Sequence, residues 1–167
     1  IKKMNLIKSI ADNKNPNSLA SRFRNKRHQL FMNIVENNAI NTLLDIGGTQ
    51  NYWKSYYEDI KALEITMVNL SKETVSFPNI KSTTGDATHL KEFANGQFDL
   101  VFSNSVIEHL FTKENQQKMA NEVRRVGKSY FIQTPNRFFP LEPHFLFPFY
   151  QFLPNSIKLF LLRNFKL

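Results

Sequence analysis

The stretch LLDIGGTQNYW, residues 43–53, runs from a short apolar segment into an acid, two glycines and a polar turn. This pattern predicts a buried strand that ends at the glycines, with a helix opening after them. Taken alone, it does not separate a ligand-binding turn from an ordinary tight corner, because a strand that ends in two glycines is commonly just a turn. The remaining segments of the chain decide between these two interpretations.

Strand and helix patterns alternate on both sides of this stretch. Apolar segments predict four further strands, at 63–70, within 77–87, at 98–105 and at 128–134. Apolar residues at helical spacing predict three helices: one at 18–38, one that opens directly after Gly48, and one at 114–126. Ser18 is the predicted cap of the first helix. Because parallel neighbours need crossover connections, this order predicts an α/β fold with a mostly parallel sheet and helices on both faces.

Composition narrows the class of protein. The chain has 167 residues, 41% of them hydrophobic, which predicts one soluble domain with a real core. The absence of cysteine excludes disulfides and thiolate metal sites and fits a cytoplasmic protein. The four histidines show no ligand spacing, so no metal site is predicted. The longest apolar segment, 145–157, is shorter than the ~20 residues that cross a bilayer, so no transmembrane segment is predicted either.

Charge and aromatic content predict three parts: a basic arm at 1–17, a domain at 18–136 and an aromatic, proline-rich cap or interaction segment at 137–167. The first 27 residues hold eight of the 22 Lys and Arg and one acid. A basic segment can bind phosphates, but no aromatic residue interleaves these charges before Phe23, which favours a solvated arm over nucleic-acid binding. Residues 138–167 hold eight of the 16 phenylalanines and four of the seven prolines.

Polar residues or glycines follow each of the first four predicted strands. In an open parallel sheet, ligands bind beyond the carboxyl ends of the strands. Glycine lets the backbone approach a ligand, free N–H groups favour an anionic group, and Asp accepts hydrogen bonds from amines. The order of these strand ends predicts one shared crevice, built from Asp45, Gly47, Gly48, Thr49, Asn69, Gly85, Asp86, Ser103, Asn104 and Ser105.

On these motifs, residues 18–136 resemble the class I S-adenosylmethionine-dependent methyltransferases of the small-molecule type. LLDIGGTQNYW is similar to their glycine-rich first motif, ITMVNL to the second-strand motif and TGDATHL to the adenine-side motif. FDLVFSNSVIEHL is similar to the fourth-strand motif, and MANEVRRVGKSYFIQTPN to the helix and strand after it. The resemblance implies a Rossmann-like, doubly wound sheet. Because residues 137–167 do not supply the family's last strands, we expect this chain to lack them.

The resemblance also implies site roles. Asp45 and the turn Gly47–Thr49 would hold the methionine end of the cofactor, and Asn69 would meet the ribose. Leu70 is a further candidate cofactor-binding residue. Asp86 would bind the adenine amine and Ala87 the ring nitrogen, while Ser103–Val106, including Val106 itself, would line the sulfonium and adenine side. The sequence departs from the family pattern where Thr49 and Asn51 replace two of three alternating glycines, and where Asn69 replaces the ribose-binding acid.

The function that follows is methyl transfer from S-adenosylmethionine, with S-adenosylhomocysteine as product, to a small or lipid-like acceptor. His109 is the first candidate for a general base and His144 the second, with a structural role as the alternative for each. A non-catalytic cofactor-binding or protein-interaction module stays open as another class. A dinucleotide enzyme is disfavoured because G-x-G-x-x-G is absent. Residues 138–167 can form an acceptor pocket, or a peripheral contact with a membrane or a protein. The favoured interpretation is that they pack against a further part of the protein.

Overall fold

The computed structural model describes residues 18–136 and 149–164. Residues 30–134 form one compact unit, and the described residues on either side of them belong to a second. The predicted arm 1–17, residues 137–148 of the predicted cap and residues 165–167 lie outside the described residues. The sheet unit falls inside the predicted domain 18–136, whose boundaries stay a prediction.

The sheet unit is built on five parallel strands in the order β3-β2-β1-β4-β5. Their bounds are β1 Thr42–Ile46, β2 Glu64–Asn69, β3 Ile80–Thr84, β4 Phe98–Asn104 and β5 Gly127–Gln133. The central strand β1 pairs with β2 through Ile46 and Val68, and with β4 through Ile46 and Ser103. The predicted α/β fold with a parallel sheet is confirmed, and all five carboxyl ends meet at one edge.

Helices cover both faces of this sheet. Their bounds are α1 Leu19–Asn37, α2 Gln50–Lys54, α3 Tyr57–Ile60 and α4 Lys113–Val126. Neighbouring residues of β1 divide between two apolar clusters, because successive side chains of a strand point to opposite faces. Leu43 packs in the cluster with Phe31 of α1 and Trp53 of α2, and Leu44 packs in the cluster with Val123 of α4.

The predicted cap of α1 is confirmed, and so is a helix that opens just after the glycines, but this helix does not continue through Tyr57. The Ser21 N–H donates to the Ser18 hydroxyl over 3.0 Å. After Gly48 the chain forms two short helices, α2 and α3, separated at Tyr56, whose φ of −126° and ψ of 17° are not helical. Trp53 is held in the core by a hydrogen bond, while Tyr57 stacks on Phe77 with ring centroids 4.2 Å apart. The two short helices are thus anchored separately, α2 through Trp53 and α3 through Tyr57.

A single carboxylate, that of Asp99, links three strands at the amino edge of the sheet. Asp99 at the start of β4 accepts hydrogen bonds from the backbone N–H groups of Asn41 and Thr42 over 3.1 and 3.0 Å. It also accepts one from the Lys128 ammonium at the start of β5 over 2.8 Å. The Lys128 contact, followed by the backbone bonds, holds the pKa of Asp99 well below its usual range. Three strands are thereby fixed at the edge opposite the predicted crevice.

The second unit contains a 3₁₀ turn, Tyr150–Phe152, and a helix, α5 Asn155–Asn164. Several large apolar side chains of this part are exposed, namely Phe149, Phe152, Ile157, Leu159 and Phe160. Within 18–136 and 149–164, the helices are all too short or too polar to cross a bilayer.

Candidate functional site

The turn after β1 lies at the centre of the carboxyl edge and requires both of its glycines. Gly47 has a φ of +75°, and a Cβ there would overlap Cγ2 of Val106 in the loop after β4. At Gly48, a Cβ would overlap Oδ2 of Asp45. Gly47 therefore allows a left-handed backbone against a neighbouring loop, and Gly48 leaves room for a buried carboxylate.

Asp45 lies beneath this turn and is 1% exposed. The indole N–H of Trp53 donates to its Oδ2 over 2.7 Å. The pKa of Asp45 is raised to about 7, mainly by burial; the Trp53 hydrogen bond opposes this rise and the charge of Glu73 adds to it. The structure thus places Asp45 as a support of the glycine turn, and direct contact between its carboxylate and a ligand stays a prediction.

Asn69, the last residue of β2, is linked to the same turn. Its amide nitrogen donates to the carbonyl oxygen of Gly48 over 2.8 Å. Its own backbone carbonyl accepts from the N–H of Gly85 over 2.9 Å, which ties the end of β2 to the end of β3. The ends of β1, β2 and β3 are therefore joined directly, as the order of motifs predicts.

An exposed apolar residue follows β2, and an exposed acid follows β3. Leu70 is 85% exposed, although it is a large apolar residue. Oδ1 of Asp86 accepts from both the backbone N–H and the hydroxyl of Thr88, each over 2.8 Å. These bonds lower the pKa of Asp86, so this exposed carboxylate is ionised at neutral pH. Ala87 follows it and is half-buried.

The end of β4 closes the other side of the edge, and its residues differ in what they offer. Ser103 is fully buried, and its hydroxyl donates to the carbonyl of Ile46 over 3.1 Å, so it joins β4 to β1. Asn104 is half-buried, and Ser105 is exposed with a φ of 59°. Val106 contacts the Gly47 position as described above. Of the residues predicted here, Ser103 links two strands, Ser105 is exposed, and Asn104 is partly exposed.

Of the two histidines proposed as bases, His109 lies within the described residues and His144 does not. His109 is exposed in a 3₁₀ turn, Ile107–Leu110, that follows β4 at the carboxyl edge, and its backbone N–H donates to Val106. The neighbouring Glu108 accepts a hydrogen bond from the Thr134 hydroxyl over 3.2 Å. His144 lies outside the described residues, so its role stays a prediction.

Several supporting residues were not predicted from the sequence. Trp53 holds Asp45, and no local pattern signals a contact between residues eight positions apart. Thr88 holds Asp86, which the Asp-x-Thr spacing could have indicated as a local side-chain turn. Arg125 of α4 donates to the carbonyls of Leu90 and Phe93, both over 2.8 Å, in the connection that carries Asp86.

The residues at this edge fit a nucleoside better than a metal. Asn69 keeps an amide oxygen that can accept from a ribose hydroxyl, Asp86 can accept from an exocyclic amine, and Leu70 can contact a base. Across the described part of the chain, no cluster of three or more acids and histidines could hold a metal ion. The arrangement therefore fits the adenosine part of S-adenosylmethionine by the chemistry of its donors and acceptors.

Comparison with protein families gives a match to the methyltransferase domain over residues 44–130. This range begins in β1 and ends in β5, so it includes the glycine turn and the ends of the first four strands. It also covers more than half of the chain.

Sequence relatives match over a shorter segment. MT1557 and Rv1509, uncharacterized proteins from two strains of Mycobacterium tuberculosis, are each 40% identical over 52 residues, 31% of this chain. The match covers only 18% of the length of these relatives.

Two solved structures are similar to this chain. A protein of Anabaena variabilis, named for a methyltransferase of an antibiotic biosynthesis pathway, superposes with a TM-score of 0.53 and 20% identity, covering 80% of this chain and 59% of that one. A SAM dependent methyltransferase of Aquifex aeolicus superposes with a TM-score of 0.48 and 14% identity, covering 78% and 76%. At such identities the first of these likenesses shows the fold alone.

Proposed function

We propose that this chain, which belongs to the methyltransferase-domain family, transfers a methyl group from S-adenosylmethionine to a small or lipid-like acceptor. The family and the fold predicted from the sequence are confirmed. S-adenosylmethionine as the methyl donor is supported by the resemblance of the strand-end motifs to those of the class I enzymes. The observation that carries the proposal is the direct linkage of the ends of β1, β2 and β3, with β4 beside them, at one edge of the sheet.

The cofactor, when bound, supplies a methyl group on a sulfonium, which is already a good electrophile. The chain's own residues then have to bind and align rather than form a covalent bond, because alignment of the reacting atoms supplies much of the rate. In this proposal Asp86 accepts from the adenine amine, Ala87 donates its backbone N–H to the ring, and Leu70 packs on the base. The turn Gly47–Thr49 holds the methionine end, and the Asn104–Val106 segment lines the sulfonium side.

His109 is the proposed general base for an acceptor that must lose a proton. It is exposed at the carboxyl edge, in the loop that contacts the glycine turn through Val106. A base is needed only when the acceptor is a hydroxyl or another protonated group. An apolar acceptor is supported by Phe111, directly after this turn, which is 94% exposed. We therefore place the acceptor beside the 3₁₀ turn.

Cofactor binding is tested by calorimetric titration of the chain with S-adenosylhomocysteine, with Asp86→Ala as the variant. Loss of the Asp86 carboxylate is expected to weaken binding about tenfold, because one charge-assisted hydrogen bond to the adenine amine is removed. Asp59→Ala, which removes another exposed acid on α3, is the matched control and should bind as the unmodified chain does. Absence of binding to the unmodified chain at millimolar ligand would exclude both catalysis and a cofactor-binding module.

Catalysis and the acceptor class are tested with S-adenosylmethionine labelled in its methyl group and incubated with extracts of the cells that make the protein. Label in the organic phase supports a lipid-like acceptor, and label in the aqueous phase a small polar one. His109→Gln should lower the transfer without changing the affinity for S-adenosylhomocysteine. Binding without transfer in any extract would favour the non-catalytic module.

Peripheral contact through residues 138–167 is the remaining part of the proposal. The described portion carries exposed Phe149, Ile157 and Phe160, with Lys158 and Arg163 and no acid between 149 and 164. Apolar and basic groups together favour an anionic lipid surface. Sedimentation with vesicles of anionic and of neutral lipid separates the outcomes: binding to the anionic vesicles alone supports a membrane contact, and binding to neither leaves a protein contact.

A further inference from the structure

Asn69 does two things that a carboxylate at its position could not do together. The carbonyl oxygen of Gly48 can only accept hydrogen bonds, so the atom of Asn69 that faces it over 2.8 Å is the amide nitrogen. The amide oxygen is left as a second, separate acceptor. An ionised Asp or Glu would instead bring a negative oxygen against the carbonyl oxygen of Gly48, which is repulsive.

The Gly48 carbonyl belongs to a turn that is fixed from several sides. The N–H of Gly47 donates to the carbonyl of Val68 over 2.9 Å, one residue before Asn69. Asp45, held by Trp53, fills the space beside Gly48. The backbone of Asn69 is fixed through its pairing with Thr84 and its bond from Gly85. The side chain of Asn69 is therefore a short link between a rigid strand end and the glycine turn.

We propose that Asn69 is a positioning residue that holds the glycine turn in its binding conformation, and that Asn rather than an acid is required for this contact. Its amide oxygen then offers a neutral acceptor to the ribose, in place of the charged one that the sequence pattern of the family would supply. The proposal deepens the proposed function, because only a turn that binds the cofactor makes its position matter for affinity. The link itself exists whether or not a cofactor binds.

The test is Asn69→Asp, for which two models predict opposite results. If residue 69 serves only the ribose, the charged acceptor should bind S-adenosylhomocysteine more tightly and leave the melting temperature of the free protein unchanged. If Asn69 holds the turn, the melting temperature should fall by about 5 °C and the affinity by about tenfold. Asn121→Asp is the matched control, because Asn121 on α4 accepts from Gln117 through its Oδ1 and keeps that bond as an acid.

A pH series distinguishes positioning from a general loss of structure. When the carboxyl group introduced by Asn69→Asp is protonated, its O–H can donate to the Gly48 carbonyl. The ratio of the variant's affinity to that of the unmodified chain should therefore return toward one as the pH falls from about 7 to about 3.5, through the ordinary pKa of an aspartic acid. The other titratable groups at this edge of the sheet are Asp45 and Glu73, Asp86 with His89, and Glu108 with His109. They are the same in both proteins, so the comparison with the unmodified chain at each pH is the control for them.

Each outcome decides something different. Tighter binding by Asn69→Asp, or an unchanged melting temperature, overturns the proposal. A lower melting temperature with a ratio that does not change with pH also overturns it, since the loss is then general. If the unmodified chain does not bind S-adenosylhomocysteine, the proposed function fails, while the melting temperatures still test the link. If Asn69→Asp does not fold, Asn69→Ala serves in its place, because it removes the donor without adding a charge. Its melting temperature and its affinity for S-adenosylhomocysteine are both expected to fall.

Discussion

Asp45 is an acid that the fold keeps away from water, and this has a consequence for stability. Burial raises its pKa from 3.8 to about 7. A raised pKa means that the folded state binds the proton more tightly than the unfolded state does. The free energy of unfolding therefore falls as the pH rises from about 4 to about 7, and the loss persists above that range.

Replacement of Asp45 by Asn should remove this penalty. The introduced amide keeps an oxygen that accepts from the Trp53 indole, but it does not ionise. We therefore expect the free energy of unfolding of Asp45→Asn to be higher than that of the unmodified chain by about 2 kcal/mol at pH 8, and to be nearly the same at pH 4.5. Urea unfolding at both pH values measures the difference. A difference that stays the same at the two pH values would show that Asp45 titrates as a free acid.

Individual residue types were predicted more reliably than their contacts. Asp45, Asn69 and Asp86 were singled out because they follow apolar strands, and all three do stand at or beneath the carboxyl edge. Their partners were not foreseen. The Trp53 indole, the Gly48 carbonyl and the Thr88 hydroxyl are fixed by the folded backbone, and strand periodicity does not report on them.

Helix α4 positions the connection that carries Asp86. Its Arg125 donates to Glu122 as well as to the carbonyls of Leu90 and Phe93, and Glu122 accepts from the N–H of Leu90 over 2.6 Å. These bonds hold the chain between β3 and β4 on the helix. The helix was predicted from its apolar spacing, but the role of its polar face was not. Two consecutive arginines on a helix are typical of a solvent-exposed surface.

Replacement of Arg125 by Ala should therefore lower both stability and cofactor affinity. It leaves two carbonyls and the Glu122 carboxylate without their charged donor, a loss of about 2–4 kcal/mol in the free energy of unfolding. Arg124→Ala removes the exposed neighbour and should cost less than about 0.5 kcal/mol. Chemical denaturation compares the two variants, and equal losses would show that the network is not what holds this connection.

The sheet as a whole brings together four segments that are far apart in the chain. Binding of a ligand across the carboxyl edge should protect all of them at once while the opposite edge, where Asp99 joins three strands, stays unchanged. We expect S-adenosylhomocysteine to slow hydrogen exchange at 47–49, 69–73, 85–89 and 104–110. Residues 41–42 and 127–129 serve as the internal control. Protection of a single segment would contradict a shared crevice.

The order of the strands, the parallel sheet and the polar residues at the strand ends can all be predicted from the amino-acid sequence. They follow from the local spacing of apolar residues, because alternate residues of a strand and every third or fourth residue of a helix lie on one face. The family was predicted from the resemblance of the strand-end motifs. The tertiary structure alone decided that Asp45 is buried beneath Gly48, that Asn69 binds a glycine carbonyl and that Ser103 binds Ile46. The hydrogen bonds of these three side chains join residues 8, 21 and 57 positions apart. Only the assembled sheet brings such atoms within hydrogen-bonding distance, because no local periodicity extends across a crossover connection.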